Sequence, residues 1–281
     1  MIPPLPTDIV RDAVRRAFAE DLTGAGDVTS LAVIPTEAKA RFEIRSRDNG
    51  IVCGLQPAME AFIQAGPDLS LDVLANDGDP VEPGDIVLSV DGPVREIMLA
   101  ERTALNFLGR MSGIATLTRR YVDAVMGSKA KIVHTRKTTP GLRAFEIQAV
   151  RAGGGSPHRY NLSDAILIKD NHIAAAGSPA KAVRAAREYA GHMMRVSCEI
   201  DRIEDLSSVM KAGADVVLLD NFSLEDLQAA VVQAAGRVIL EASGGVNLDT
   251  VADIAATGVD IISVGALTHS APNFDFGLDA V

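Results

Sequence analysis

Runs of like charge, paired cysteines and long apolar stretches are all missing from this chain, and each absence removes a class of protein. No charge block or low-complexity tract interrupts the 281 residues; 47% are hydrophobic and 23% charged, so disorder is excluded as the main state. Positive charge is the minority, with 27 Lys and Arg against 37 Asp and Glu. The formal charge of −10 and the isoelectric point near 5.0 argue against nucleic acid as a partner. Only two cysteines occur, Cys53 and Cys198, far apart and inside apolar runs, so no disulfide framework is expected. The opening MIPPLPTDIV has no cationic segment followed by an apolar one, which predicts no secretory signal. No run reaches the ~18 apolar residues of a membrane span. These absences predict a soluble, cytoplasmic globular protein of one large domain or two ordinary ones.

Two halves with different rhythms fill that length. Ile9, Val10, Ala13, Val14 and Phe18 have helical spacing, and 39–45 alternates with Ala40, Phe42 and Ile44 on one face, as in a half-buried antiparallel strand. Short β-prone pieces at 50–53, 71–74 and 85–90 follow, separated by turn-rich segments such as NDGDPVEPGD (76–85). From Val94 to about Met126 there is no proline, which predicts one or two long helices. Beyond Lys131 the pattern becomes β-prone runs at 131–135, 164–169, 194–200, 215–220, 237–242 and 260–265, with helix-like segments at 178–190, 203–212, 223–235 and 247–257. That alternation predicts βαβ units and a parallel sheet, a barrel or a partly open one with no convincing eighth strand.

In such a barrel, functional groups collect at the carboxyl ends of the strands. Here those ends carry His134, Thr135, Arg136, Lys137 and Thr138, then Lys169, Asp170, Asn171 and His172. Glu199 and Asp201, Asp220 and Asn221, Glu241 with Ser243, Gly244 and Gly245, and finally Gly265 complete the series. The two glycine-bearing ends, the second opening ALTHS (266–270), suit a phosphate site; tight turns are the bland alternative. Glu199 and Asp220 could hold Mg²⁺ or ribose hydroxyls, Asp201 suits a helix cap, and Glu241 is left unassigned between a structural and a functional acid. Six Lys and Arg against three acids lie between His134 and His172, a local excess that predicts a compact polyanionic ligand. His134, His158 and His172 have no metal-ligand spacing, so zinc is not expected.

Seven stretches then carry a resemblance: LAERTALNFLGRMSGIAT (99–116), HTRKTTPGLR (134–143), AVRAGGGSPHR (149–159), LIKDNH (167–172), LLDN (218–221), EASGGV (241–246) and SVGALTHS (263–270). In that order they closely resemble quinolinate phosphoribosyltransferase. The resemblance implies an α/β fold: an N-terminal α/β sandwich over 1–112, and a seven-stranded, incompletely closed β/α barrel over 113–270. It implies further that the tail 271–281 packs back on the first domain. It also implies a homodimer in which the N-terminal region of one subunit covers the barrel mouth of the other.

By matching motif, Arg136, Lys137, His158, Arg159 and Lys169, with Arg102, would bind the two carboxylates of quinolinate. Glu199 and Asp220 would face the ribose and Mg²⁺ of phosphoribosyl pyrophosphate, and Ser243, Gly244, Gly245, Gly265 and His269 would surround its 5-phosphate. Lys137, Glu199 and Asp220 are the expected catalytic residues, Mg²⁺ is the expected metal, and no organic cofactor is expected. The family usually has lysine at Ile147, asparagine at Pro157 and glycine at Asn161; the first change removes a positive charge near the quinolinate region. Two alternatives remain at this level: a paralogue of the same fold with another acceptor, and a catalytically silent protein that binds phosphorylated metabolites.

Overall fold

The computed structural model describes residues 2–22 and 24–281. In chain order its elements are α1 (Thr7–Asp21), α2 (Val28–Val33), β1 (Lys39–Ser46), β2 (Gly50–Ile51), α3 (Leu55–Ala65), β3 (Ser70–Val73), β4 (Pro80–Val81), β5 (Ile86–Pro93) and α4 (Val94–Ala124). There follow β6 (Lys131–Val133), α5 (Arg143–Ala152), β7 (Ile166–Ile168), α6 (Asp170–Ala176), α7 (Pro179–Tyr189) and β8 (Val196–Ile200). A short 3-10 turn at Ile203–Asp205 leads into α8 (Leu206–Ala212), β9 (Val216–Asp220), α9 (Leu224–Ala234), β10 (Ile239–Ser243), α10 (Val251–Ala256), β11 (Ile261–Ser263), α11 (Ala266–His269) and β12 (Phe276–Ala280).

The chain divides into two compact units. The first comprises residues up to Arg119, Pro140–Gly154 and Ala271–Val281; the second comprises Arg120–Thr139 and Gly155–Ser270. The division expected at 112/113 thus falls inside α4, and the segment 140–154, expected within the barrel, belongs to the first unit.

In the first unit an antiparallel sheet has the order β12-β1-β5-β3. Alternation along β1 directs Ile44, with Phe42 partly buried, into a core shared with Val87, Leu88 and Val90 of β5. Ala58, Ala61 and Phe62 of α3 and Ile97, Ala100, Ala104 and Leu108 of α4 complete it. Burying a side chain such as Phe62, which is fully enclosed, contributes about 1.5–3 kcal/mol. The tail joins this sheet as β12, with Ile44 opposite Leu278 and Ser46 opposite Phe276. Two glycines of α4 let the tail approach. A Cβ at Gly113 would stand 2.0 Å from the Pro272 carbonyl oxygen, and one at Gly109 would stand 2.9 Å from that of Phe274. The Phe274 N–H donates to the Gly109 carbonyl at 2.9 Å.

The second unit is built on a parallel sheet of order β6-β11-β10-β9-β8-β7, six strands among the described residues. Outside β6, Ser156 pairs in parallel with Val133, and its N–H donates to the Ile132 carbonyl at 2.8 Å. The seventh strand position of the expected barrel is therefore a single bridge, and the sheet is open between it and β7. Along each strand one set of side chains packs away from the mouth: Cys198 and Ile200, Val217 and Leu219, Leu240 and Ala242, and Ile262 are all buried. The alternate set, with period two, includes Glu199, Leu218, Asp220, Glu241, Ser243 and Ser263. No described helix is long and apolar enough to cross a membrane.

Candidate active site

That alternate set lines a cavity of about 600 Å³ in the second unit. Its wall includes Thr135, Arg136, Lys137, His158, Arg159, Lys169, Glu199, Asp220, Asn221, Glu241, Ser243, Gly244 and Gly245. Strand register explains the assembly. Leu218 pairs with Glu199 on one side and with Glu241 on the other, so both acids lie at one level; Asp220 pairs with Ser243 one level nearer the mouth.

The cations are held individually. Lys169 Nζ donates to Glu199 Oε2 at 2.9 Å, which neutralises both groups before any ligand arrives. The Lys169 N–H donates to His172 Nδ1 at 3.0 Å, so His172 orders the first turn of α6 and does not line the cavity. Arg159 donates through Nη1 to the Ala165 carbonyl at 3.0 Å. Burial first, then the neighbouring Arg136 guanidinium, push the Arg159 pKa down, opposed by Asp164 and Glu241. The Nε atoms of Arg136 and Arg159 are buried with no hydrogen-bond partner. Buried donors without acceptors are costly, and here they flank a cavity that can admit an anion.

Both central histidines are engaged by backbone. His134 is fully buried; its Nε2 accepts the His158 N–H at 3.0 Å, and its Nδ1 lies 3.0 Å from the Thr135 carbonyl. His158 accepts the Arg159 N–H at Nδ1, 2.8 Å, while its Nε2 stands 3.3 Å from Glu241 Oε1.

The glycine end is a built turn. Gly244 and Gly245 have φ of 90° and 61°, and Asn221, at φ 56°, stands against them. A Cβ at Gly244 would meet Asn221 Oδ1 at 2.2 Å, and the Asn221 N–H donates to the Ser243 carbonyl at 2.9 Å. Asn221 Nδ2 donates to Asp220 Oδ2 at 2.8 Å, tying the carboxylate to the turn. With no side chains on Gly244 and Gly245, this wall of the cavity leaves backbone open to a ligand.

Of the thirteen site residues implied by the resemblance ten gather here, and Arg102, Gly265 and His269 do not; the other strand-end groups His134, Thr138, Asp170, Asn171, His172 and Asp201 are also outside the cavity wall. Gly265 and His269 are outside the cavity wall: a Cβ at Gly265 would meet His269 Nε2 at 3.1 Å and the Lys137 stem at 3.3 Å, so they back Lys137. Arg102 belongs to the first unit, on α4, where it lines a separate cavity of about 490 Å³ with Arg16, Asn106, Arg110 and Glu146. Ile147, expected near the quinolinate region, is buried on α5 in the first unit, where Phe145, Glu146, Gln148, Ala149 and Val150 are buried around it. Residues not assigned beforehand are Thr135, Asn221, Glu241 and Ser263; all but Ser263 were visible as polar strand ends.

No group of three or more His, Cys, Asp or Glu among the described residues is placed to hold a metal ion. A parallel α/β unit whose strand ends bring together cations, two levels of carboxylates and a glycine turn defines the class: a β/α protein with a site for anionic, phosphate-bearing small molecules.

Comparison with known proteins narrows that class. The model of the quinolinate phosphoribosyl transferase N-terminal domain matches residues 27–112, and that of the C-terminal domain matches 114–279. The chain is 43% identical over 279 residues to a nicotinate-nucleotide pyrophosphorylase [carboxylating] of Mycobacterium leprae, covering 97% of each. It is 40% identical over 262 residues to a probable enzyme of that name from Bacillus subtilis, covering 93% of this chain and 90% of the relative. A solved nicotinate-nucleotide pyrophosphorylase from Francisella tularensis superposes with a TM-score of 0.95 at 39% identity, covering 100% of this chain and 99% of the other. The chain belongs to the quinolinate phosphoribosyltransferase family.

Proposed function

We propose that this chain transfers the phosphoribosyl group of phosphoribosyl pyrophosphate to quinolinate with decarboxylation, giving nicotinate mononucleotide, pyrophosphate and CO2, a step of NAD biosynthesis. The observation that carries it is that Arg136 and Arg159, whose Nε atoms are buried without a hydrogen-bond partner, line the same cavity as Glu199, Asp220 and the Gly244–Gly245 turn. A planar dicarboxylate suits the guanidinium groups, while the turn suits a phosphate.

Arg136, Lys137, His158, Arg159 and Lys169 form the quinolinate side of the site, and Ser243, Gly244 and Gly245 the 5-phosphate side, with Gly265 and His269 behind Lys137. As the bond from ribose C1 to pyrophosphate breaks, positive charge grows on C1 and the ring oxygen. Glu199 and Asp220, on adjacent strands, stabilise that charge electrostatically. The pyridine nitrogen then bonds to C1, a step that demands orientation more than a base. The resulting cationic nitrogen stabilises the carbanion left on the adjacent ring carbon when its carboxylate departs as CO2, and that carbon then takes up a proton. Lys137 is the catalytic cation nearest the cradle of Gly265 and His269.

Glu199 and Asp220 fit Mg²⁺: they are hard oxygen donors, and an ion carried largely by substrate phosphates needs only one or two protein carboxylates. Bound there, Mg²⁺ would neutralise charge on the departing pyrophosphate. Glu199 would have to share its carboxylate with Lys169.

The functional unit is a homodimer with shared sites, Arg102 of one subunit serving the cavity of its partner, and the protein is cytoplasmic with neither nucleic acid nor membrane as partner. Three arginines, Arg16, Arg102 and Arg110, line one pocket of the first unit, and that cluster supports the first of these.

Purified protein incubated with quinolinate, phosphoribosyl pyrophosphate and Mg²⁺ should yield nicotinate mononucleotide and CO2. Nicotinate, with one carboxylate, should be a very poor acceptor because buried cations would be left unpaired. Comparable turnover of nicotinate, or no pyrophosphate release with quinolinate, overturns the proposal.

A further inference from the structure

The acid at the base of the cavity has no part in the chemistry above. Glu241 is 3% exposed and sits on β10, level with Glu199. Its Oε1 accepts the Ser263 hydroxyl from β11 and faces His158 Nε2 at 3.3 Å.

The protonation pattern follows from which partners can only donate. The Arg159 N–H donates to His158 Nδ1, so that nitrogen carries no proton and the neutral imidazole holds its proton on Nε2, toward Glu241. The His158 N–H in turn donates to His134 Nε2, which leaves the His134 proton on Nδ1, toward the Thr135 carbonyl. A chain of close contacts therefore runs from Ser263, hydrogen-bonded to Glu241, across the 3.3 Å between Glu241 Oε1 and His158 Nε2, and on by hydrogen bonds from His158 to the Arg159 backbone and through His134 to Thr135. It ends at the backbone of Arg159 and at the residue before Arg136. Within this chain His158 Nδ1 is bonded to backbone and Nε2 faces the Glu241 carboxylate. Its ring is a strut in the structure described, between a carboxylate at the cavity floor and the backbone that positions Arg159.

We propose that Glu241 is a positioning residue for the acceptor half of the site: it fixes His158 as the Nε2–H tautomer and, through it, sets the backbone of Arg159. This inference rests on the proposed activity for the substrate concerned. It separates the two halves of the cavity, because Ser243, Gly244 and Gly245 are held by the turn and by Asn221 and not by this chain of contacts.

Three variants test it. Glu241→Leu fills a similar volume but removes the carboxylate facing His158 Nε2; Glu241→Gln keeps an oxygen at that place and an acceptor for the Ser263 hydroxyl; Ser263→Ala removes one donor. With Glu241→Leu the KM for quinolinate should rise about tenfold while that for phosphoribosyl pyrophosphate stays within about twofold. Glu241→Gln should remain within about threefold of wild type for both, and Ser263→Ala should raise only the quinolinate KM, by about threefold. In parallel, ¹⁵N spectra of histidine-labelled protein should show His158 protonated at Nε2 in the wild type and redistributed between tautomers in Glu241→Leu. Equal rises in both KM values, an unchanged quinolinate KM in Glu241→Leu, a Gln variant as impaired as the Leu one, or a wild-type His158 protonated at Nδ1 each overturn the proposal. Should Glu241→Leu fail to fold, the Gln and Ala variants and the wild-type spectrum decide. A wild type with no activity on quinolinate would refute the proposed function, and the tautomer measurement would still judge Glu241.

Discussion

Gly244 and Gly245 are neighbours in sequence and both have positive φ, yet the structure predicts very different consequences of adding one methyl group to each. At Gly244, φ is 90° and a Cβ would fall 2.2 Å from Asn221 Oδ1, 2.6 Å from its Cγ and 2.8 Å from its backbone nitrogen. At Gly245, φ is 61° and nothing lies within 4 Å. Holding alanine in left-handed backbone costs roughly 1–2 kcal/mol at either position. Gly244→Ala adds an overpacking cost of about 1–3 kcal/mol, because the atoms met include backbone that cannot swing away. The expected loss is therefore about 2–5 kcal/mol for Gly244→Ala and about 1–2 kcal/mol for Gly245→Ala. At about 2–4 °C per kcal/mol, the gap between the variants should be several degrees in Tm. The clash also pushes on Asn221, whose side chain holds Asp220, so the KM for phosphoribosyl pyrophosphate should rise more in Gly244→Ala than the quinolinate KM does. Calorimetry of both ligand-free variants, followed by kinetics, makes the comparison. Equal Tm values, or a Gly244→Ala protein with wild-type stability, would refute the steric reasoning.

Three further outcomes are expected. Arg102→Ala and Lys169→Ala should each be nearly inactive, and refolding them together at equal amounts should restore roughly a quarter of wild-type activity if sites are shared, since about half the dimers are mixed and each holds one intact site; no recovery, with mixed dimers confirmed by tagging, removes the shared-site arrangement. Ile147→Lys should lose about 2–4 kcal/mol in urea unfolding, because a buried aliphatic side chain is replaced by an ammonium group; wild-type stability would show that the side chain is not in the core. Neither thiol should react with a disulfide reagent in the folded protein between pH 7 and 9: both are fully buried, and burial, then Glu199 and Asp205, push Cys198 up to about 12, so the thiolate that reacts is absent until the pH approaches that value. Rapid labelling at pH 8 without denaturant would contradict this.

Periodicity is a local property, and what depends on it was legible in the residues alone. The 3.6-residue spacing of Val10, Ala13 and Val14 marks α1, and the alternating β-prone and helix-like segments beyond Lys131 mark the parallel sheet. Because a strand places every second side chain on one face, the polar residues at successive strand ends could be grouped as a site before any coordinates; Arg136, Lys137, Lys169, Glu199 and Asp220 do share one cavity. The absence of proline across 94–126 likewise foretold α4, though whether it was one helix or two depended on what lay against it. Gly109 and Gly113 read as weak points of a helix; they are the places where the tail 271–276 crosses it. The assignment of 140–154 to the first unit, the burial of Ile147, the reduction of the seventh strand to a bridge at Ser156 and the pairing of β12 with β1 all join residues distant in sequence. So does the 3.3 Å approach of Glu241 to His158, 83 positions apart by their numbers. Local spacing carries no information about such partners: only packing selects which distant groups meet, and so whether a buried glutamate is an idle acid or the anchor of a histidine.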